Sequence, residues 1–395
     1  MRYVEILQGL LEVNLQSVHR RRKAAVWRAV LAVIIGGKLC LTALGRALPA
    51  ATTDKHRIKA IDRLLGNRLL HGEIPLFYRA LAAWLLRKTC CPVIAVDWTG
   101  VGPHHFELSA KLCADGRALP LYSRVFLKKL QGNRAAHRAL LMELASILPP
   151  GSTPVFVTDS GFHSNWFEDV VWHGWNYIGR VRGSTHAAVD GRWYKLRGLY
   201  RRASSRIKDL GWALLPFNKP RIHRLVLSKR PIPKGRSRRT RRGTPSRSKT
   251  ARDASKAARE PWLLATSLRS NAKFVVQTYG LRMQIEQSFR DRKSFRNGWS
   301  LRSAITRSCA RLEVILLLAS LAEVAVTIVG RAVAASPHAR QFQANTVRTR
   351  RVLSFFFLGC RAVRAGAPLD WSLLLTALET TREPIHRNAV NFAPI

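Results

Sequence analysis

From the N-terminus to about residue 85, apolar residues recur at three- and four-residue spacing with few β-branched alternations, which predicts a run of amphipathic helices. Within it, LTALGRAL is followed by the breaker PAATTD and then by KHRIKAIDRLLGN. In the last of these segments Ile58, Ile61, Leu64 and Leu65 form an apolar stripe. Lys55, Arg57, Lys59 and Arg63 are expected to face largely outward. The pattern is helix-turn-helix-like and its basic face suits DNA, although an ordinary amphipathic helix with a basic surface shares it.

From Pro92 the period changes to that of strands: PVIAVD, HHFELSAKLC and RALPLYSRVF. The second and third are separated by Ala114-Asp115-Gly116, a strong hairpin signal. A helix is expected over about 134–148, then the strand PVFVTD ending at Asp159, a helix over about 164–174, and a strand at NYIGRVRG. Three strands, helix, strand, helix, strand is the order of a ribonuclease-H-like α/β core. Residues 184–268 have no clear place in that core and read as a mainly β, basic insertion, closing with the strand PWLLATS. Inside it, the stretch 229–259 holds 13 Lys or Arg against one acid, Asp253, which predicts a mobile loop. The helical segment YGLRMQIEQSFRDRK follows. The apolar run VILLLASLAEVAVTIVG, which contains Glu323, falls short of the ~20 residues of a bilayer span and is expected to be a buried core helix. The division is thus a helical, helix-turn-helix-like region over 1–85, an α/β domain over 86–330 that contains the insertion, and a further helical region over 331–395.

Charge narrows the class of partner. The formal net charge is +44 with 47% apolar residues, so the chain can build a core and yet attracts polyanions, nucleic acid ahead of membrane. HRRRK before AAVWRAVLAVIIGG superficially resembles a signal peptide, but Arg28 interrupts the apolar stretch and no small-residue cleavage site follows. The expectation is no export and no membrane segment. Six cysteines without CxxC or His/Cys ligand spacing read as reduced core thiols of a cytoplasmic protein.

Candidate chemistry lies in three carboxylates. Asp97 and Asp159 each follow an apolar strand, VIAV and VFVT, and a carboxylate at the lip of a buried strand is costly unless paired, hydrogen-bonded or metal-bound. On a helix at about 100° per residue, Tyr279, Arg282, Glu286 and Lys293 fall on one stripe about 60° wide. Met283 and Ile285 pack off that stripe, and Arg290 and Arg292 add positive charge nearby. A solvated ion-paired face fits this spacing. So does a catalytic carboxylate beside groups that grip phosphates. Ser160 and His163 lack a nucleophile-elbow context, and His104, His105 and His163 lack zinc-ligand spacing.

The spacing Tyr279-x2-Arg282-x3-Glu286-x6-Lys293 resembles the YREK signature of the IS-four family of bacterial insertion-sequence transposases. Asp97 in AVDWT and Asp159 in VTDSGF stand where that family has its first two catalytic aspartates. HRIKAIDRLLGNR, ASILPP-x-STP, EPWLLAT, RMQIEQSFRD and FQANTVR are similar to family segments, so the resemblance covers nearly the whole chain. It implies a DDE transposase that moves its element by cut-and-paste through DNA hairpins, as a synaptic homodimer on terminal inverted repeats and target DNA in the bacterial nucleoid. Asp97, Asp159 and Glu286 would hold two Mg²⁺ or Mn²⁺ ions. Tyr279, Arg282 and Lys293 would hold phosphates, Trp262 would receive a flipped base, and Arg57, Lys59 and Arg63 would contact DNA. A transposase-derived protein that only binds DNA, or a ribonuclease-H-like nuclease, are the competing readings. The first predicts erosion of the triad, and the second requires neither the YREK residues nor the insertion.

Overall fold

The computed structural model describes residues 2–183, 185–229, 244, 246, 248, 249, 252, 260–296, 298–343, 346, 347 and 349–390. The basic stretch expected to be a mobile loop therefore lies almost wholly outside the described residues. The architecture is mixed α/β, as the change of period at Pro92 predicts, and the chain divides into two compact units, 1–155 with 281–395, and 156–280.

The first unit opens with five helices: α1 (Arg2–Glu12), α2 (Arg20–Gly36), α3 (Leu41–Ala47), α4 (Asp54–Leu65) and α5 (Arg68–Leu85). Gly37 ends α2 with φ 61°, and the Asn67 side chain caps α5 by accepting from the Leu70 amide, as helix termini require. The Pro49 breaker separates α3 from α4. These two pack so closely that a Cβ on Gly45 would lie 2.5 Å from the Ile58 backbone. On α4, Ile61, Leu64 and Leu65 are buried, and Lys55, Lys59 and Arg63 are exposed. Arg57 departs from the expected outward face: half-buried, it pairs with Asp54 and reaches the Leu48 carbonyl.

Strands β1 (Val93–Gly100), β2 (His105–Leu112) and β3 (Leu119–Leu127) form an antiparallel meander in the order β3-β2-β1. Asp97 pairs with Ser109 and Thr99 with Glu107. Helix α6 (Arg134–Ile147) follows. The apolar run predicted as a core helix extends to 27 residues, Cys309–Ala335. It is long and apolar enough to cross a membrane by composition, and 94% of its most apolar window is buried within the protein. The helix Phe355–Arg364, which precedes the last helix Trp371–Asn388, packs against it where glycine meets glycine. A Cβ on Gly330 would fall 1.8 Å from the Phe355 carbonyl oxygen, and one on Gly359 would fall 1.9 Å from that of Val326.

Charges inside this apolar unit need partners. Arg292, expected to add positive charge near the Glu286 stripe, is fully buried. Its Nε donates to Glu323 at 2.8 Å, its Nη1 to Glu107 at 3.0 Å and its Nη2 to the Ser320 hydroxyl at 3.0 Å. Lys111 Nζ lies 3.3 Å from both Glu323 oxygens, and Ser123 donates to Glu107 at 2.7 Å. Two cations and two anions thus neutralise one another. Burial, with repulsion from Arg292, pushes the Lys111 ammonium down to about 8, while Glu323 and Glu107 overcome burial to hold the Arg292 guanidinium above its usual range.

The second unit carries β4 (Val155–Thr158), α7 (Ser164–Trp172), β5 (Asn176–Arg180), β6 (His186–Val189), β7 (Arg192–Lys195), α8 (Leu196–Leu199), β8 (Lys208–Leu215), β9 (Arg221–Ser228), β10 (Trp262–Thr266) and α9 (Ala272–Gly280). Its strand order is β4-β5-β10-β9-β8-β6-β7. The insertion has a definite place after all: β10 runs antiparallel to both β5 and β9, with Ala265 opposite Gly179 and Leu225, so the inserted strands extend the sheet to which β5 belongs. Beneath it Phe167 stacks on Tyr177 at 4.4 Å, and the Tyr177 hydroxyl and His223 Nδ1 share a hydrogen bond at 2.5 Å. All six cysteines are free thiols, but only Cys91, Cys113 and Cys360 are in the core; Cys40 and Cys309 are half-buried and Cys90 is exposed.

Two outcomes follow from these interiors. Glu323→Gln leaves Arg292 and Lys111 short of one buried countercharge and should cost roughly 3–5 kcal/mol, measured by urea unfolding. Desolvation holds the His223 imidazole down to about 4, against 6.5 ordinarily. Its folded pKa is depressed, so this stabilisation is complete above about pH 6.5 and is lost as pH falls toward 4, by about 3 kcal/mol in all. Melting curves across that window should show the loss, and His223→Phe should flatten it.

Candidate active site

In β1 the apolar run Val93–Val96 is buried and the strand becomes half-exposed from Asp97 onward. Asp97 does not end its strand as the sequence suggests. It sits in the ladder, three residues before Gly100, because pairing with β2 continues past it. Its Oδ1 accepts from the Trp98 amide at 2.8 Å, and its Oδ2 accepts from Arg282 Nη1 at 3.3 Å.

The expected single helix carrying all four signature residues is also corrected. The chain breaks at Leu281 and Arg282, between α9 and α10 (Met283–Lys293), and Tyr279 is left in the preceding helix and in the other unit. Gly280 supplies the weak point, being a poor helix residue. The remaining three stay together. Glu286, in the first turn of α10, accepts from Arg282 Nη2 at 2.7 Å. The largely buried Arg282 guanidinium therefore joins two carboxylates from separate elements, Asp97 of β1 and Glu286 of α10. Lys293, two turns beyond Glu286, hydrogen-bonds the Thr99 hydroxyl, and Thr99 lies on the same face of β1 as Asp97. Burial holds the Lys293 ammonium below the usual lysine range, partly offset by Glu107. Helix α10 thus presents Glu286 and Lys293 along β1, while Ile285, Ser288 and Arg292 are buried.

In the second unit Asp159 directly follows β4, and its Oδ1 accepts from the Gly161 amide at 2.8 Å. Trp262 opens β10, half-buried, and meets the buried Tyr279 edge-to-face with centroids 4.7 Å apart. Among the described residues, no group of three or more His, Cys, Asp or Glu stands ready to hold a metal ion. Of the expected DNA contacts on α4, Lys59 pairs with Asp62 at 3.3 Å. Asp62 is held low first by its bond to Arg311, at 2.7 Å.

Sequence reasoning missed Thr99 and the buried partners of Arg292. The signals were present: Glu107 and Lys111 interrupt a strand otherwise destined for the interior, and Glu323 interrupts an apolar helix.

A family model described as Transposase DDE domain matches residues 89–322, a span that includes Asp97, Asp159 and Glu286. No curated protein matches the chain. Among solved structures it is similar to the piggyBac transposase of a cryo-EM synaptic complex with hairpin DNA, at 11% identity and a TM-score of 0.39, over 100% of this chain and 84% of that one. With more than half of its length matched, from just before β1 into the long core helix, the chain belongs to the transposase DDE domain family.

Proposed function

We propose that this transposase cuts the ends of an insertion sequence, closes them as hairpins and joins them to target DNA, with Asp97, Asp159 and Glu286 as its catalytic carboxylates. The observation that carries this reading is the convergence of Asp97 and Glu286 on a single cationic group, Arg282, within the span of the family match. Two carboxylates drawn together around one cation are a hard-oxygen donor set of the kind Mg²⁺ or Mn²⁺ prefers. Asp97, Asp159 and Glu286 would hold two such ions. When bound, these ions activate a nucleophile and stabilise the leaving oxygen of a phosphodiester.

The protein's own groups position the DNA. Arg282 has a planar fork that suits phosphate as well as carboxylate. Were Asp97 and Glu286 to hold metal, the Arg282 donors they now accept from would be available to a phosphate near the cut. Lys293 adds a point charge held against Thr99, and Tyr279 a hydroxyl. The nucleophile is first water and then the freed 3′ hydroxyl, which attacks the opposite strand. Closing a duplex end so tightly is easier if a base leaves the stack, and Trp262 receives it. Tyr279, packed edge-on against the indole, fixes the ring's plane. Terminal repeats bind the N-terminal helices through Arg57, Lys59 and Arg63, and two copies pair the ends.

Asp97→Asn, Asp159→Asn and Glu286→Gln keep side-chain volume and remove charge. Each should leave DNA-end binding intact and lower strand cleavage by on the order of 10³-fold, in gel assays with the element's ends and Mg²⁺. Cleavage retained by all three would remove the assignment. Trp262→Ala should spare first-strand nicking and slow hairpin closure roughly 5- to 150-fold, the range of one base stack. An end abasic at the flipped position should partly restore it. Equal loss of both steps with a lowered melting temperature would instead make Trp262 a core residue.

A further inference from the structure

The outer part of the second unit's sheet breaks the usual rule for a two-faced antiparallel sheet, apolar inside and polar outside. Its inner face is apolar as expected, with Ala187, Val189, Ala213, Leu215 and Leu225 buried. The outer face follows from the register. Trp193 of β7 pairs with Ala188 of β6, Ala188 with Leu214 of β8, and Leu214 with Ile222 of β9. Cross-strand partners share a face, so these four form one row across four strands, and Trp212 stands beside Leu214 on the same side. The row is exposed: Trp193 by 38%, Trp212 by 51%, Leu214 by 39% and Ile222 by 69%. Phe217, 62% exposed in the β8–β9 turn, extends it with its ring 4.8 Å from that of Trp193.

A contiguous apolar face of this kind marks an interaction site, and its surroundings say with what. Between Thr185 and Lys229 eleven Lys or Arg stand against two acids, Asp190 and Asp209. Asp209 is itself bound to Arg224. Lys195 shares the face with Trp193, and its register partner His186 faces the Phe217 ring. Flat aromatic faces bordered by cations are what unpaired nucleobases on a phosphate chain require: the rings stack and the cations follow the backbone. A protein partner suited to so basic a rim would have to be strongly acidic, whereas a second copy of this chain would bring like charge to it, the net charge being +44. We propose that the outer face of β6–β9 is a stacking platform for unpaired bases of a DNA strand, with Trp193 and Trp212 as its two principal surfaces. It is separate from the base pocket proposed at Trp262.

The test compares a labelled single strand with an abasic strand of equal length, using full-length protein and fluorescence anisotropy at about 0.3 M salt, where the phosphate contribution is weakened. Wild-type protein should favour the base-bearing strand by roughly 5-fold or more per stacked base. The double variant Trp193→Ala/Trp212→Ala should lose most of that preference with abasic affinity unchanged. The Trp193→Phe/Trp212→Phe pair, which keeps flat rings, should retain most of it. Because both indoles are exposed, the melting temperature should hold in either variant. An unchanged preference in the Ala variant, or a preference lost only in Trp262→Ala, would overturn the proposal. So would self-association in sedimentation that the Ala variant abolishes without altering strand preference, which would make the face a contact between copies. None of these readouts depends on cleavage, so failure of the catalytic assignment would leave the test intact.

Discussion

The ion cluster around Arg292 is the constraint on which the first unit's arrangement rests. Arg292 comes from α10, Glu107 and Lys111 from β2, and Glu323 from the long core helix. Three elements far apart in sequence therefore share four charges that cannot reach water. A slip of α10 by one residue would turn Arg292 by about 100° and strand its partners in an apolar interior, which costs several kcal/mol. The pairings act less as a source of net stability than as a register pin. Because Arg292 fixes the buried side of α10, the position of Glu286 and Lys293 along β1 is fixed with it.

That pin explains how one short helix combines opposite tasks. Ile285, Ser288 and Arg292 are committed to the interior, and Glu286 and Lys293 to β1. Arg282, just before the helix and outside its regular turns, reaches both Asp97 and Glu286. Two acids held this near each other need a countercharge. Arg282 supplies it here, and divalent ions would supply it in the reaction proposed. At Lys293 the Thr99 hydroxyl and the charges of Glu107 and Asp97 hold a cation beside the strand that bears Asp97, against the cost of burial.

In the second unit the organising contact is different. β10 lies between β5 and β9, so the strand that carries Trp262 joins the inserted strands to the first part of the sheet. Its position gives Trp262 a fixed backbone and leaves the far strands, β6 to β9, as the region where the sheet's outer face is open. An insertion that the sequence left without a clear place is therefore integral to the unit that holds it.

Local pattern was enough for much of this. The helical N-terminal region, the three strands after Pro92 with the β2–β3 hairpin, α6, α7 and the core helix follow from hydrophobic period, turn residues and breakers. These act over a few residues and are written in consecutive sequence. The spacing that singled out Glu286, Arg282 and Lys293 also survived, since Glu286 and Lys293 lie along one side of α10 and Arg282, just before it, bonds Glu286. What the sequence did not determine were features set by distant partners. Nothing local distinguishes Arg292 from Arg290, yet Arg292 is drawn inside because Glu107 and Glu323 wait there, 185 and 31 residues away. Nothing local ends the pairing of β1 at Asp97, since β2 decides how far the ladder runs. The break after Gly280 separates Tyr279 from the rest of its signature, although the spacing fits a continuous helix, because the chain passes there from one compact unit to the other. Periodicity reports which side of an element is apolar, whereas which charge is buried, which ladder continues and where a helix stops depend on what the tertiary fold places beside it.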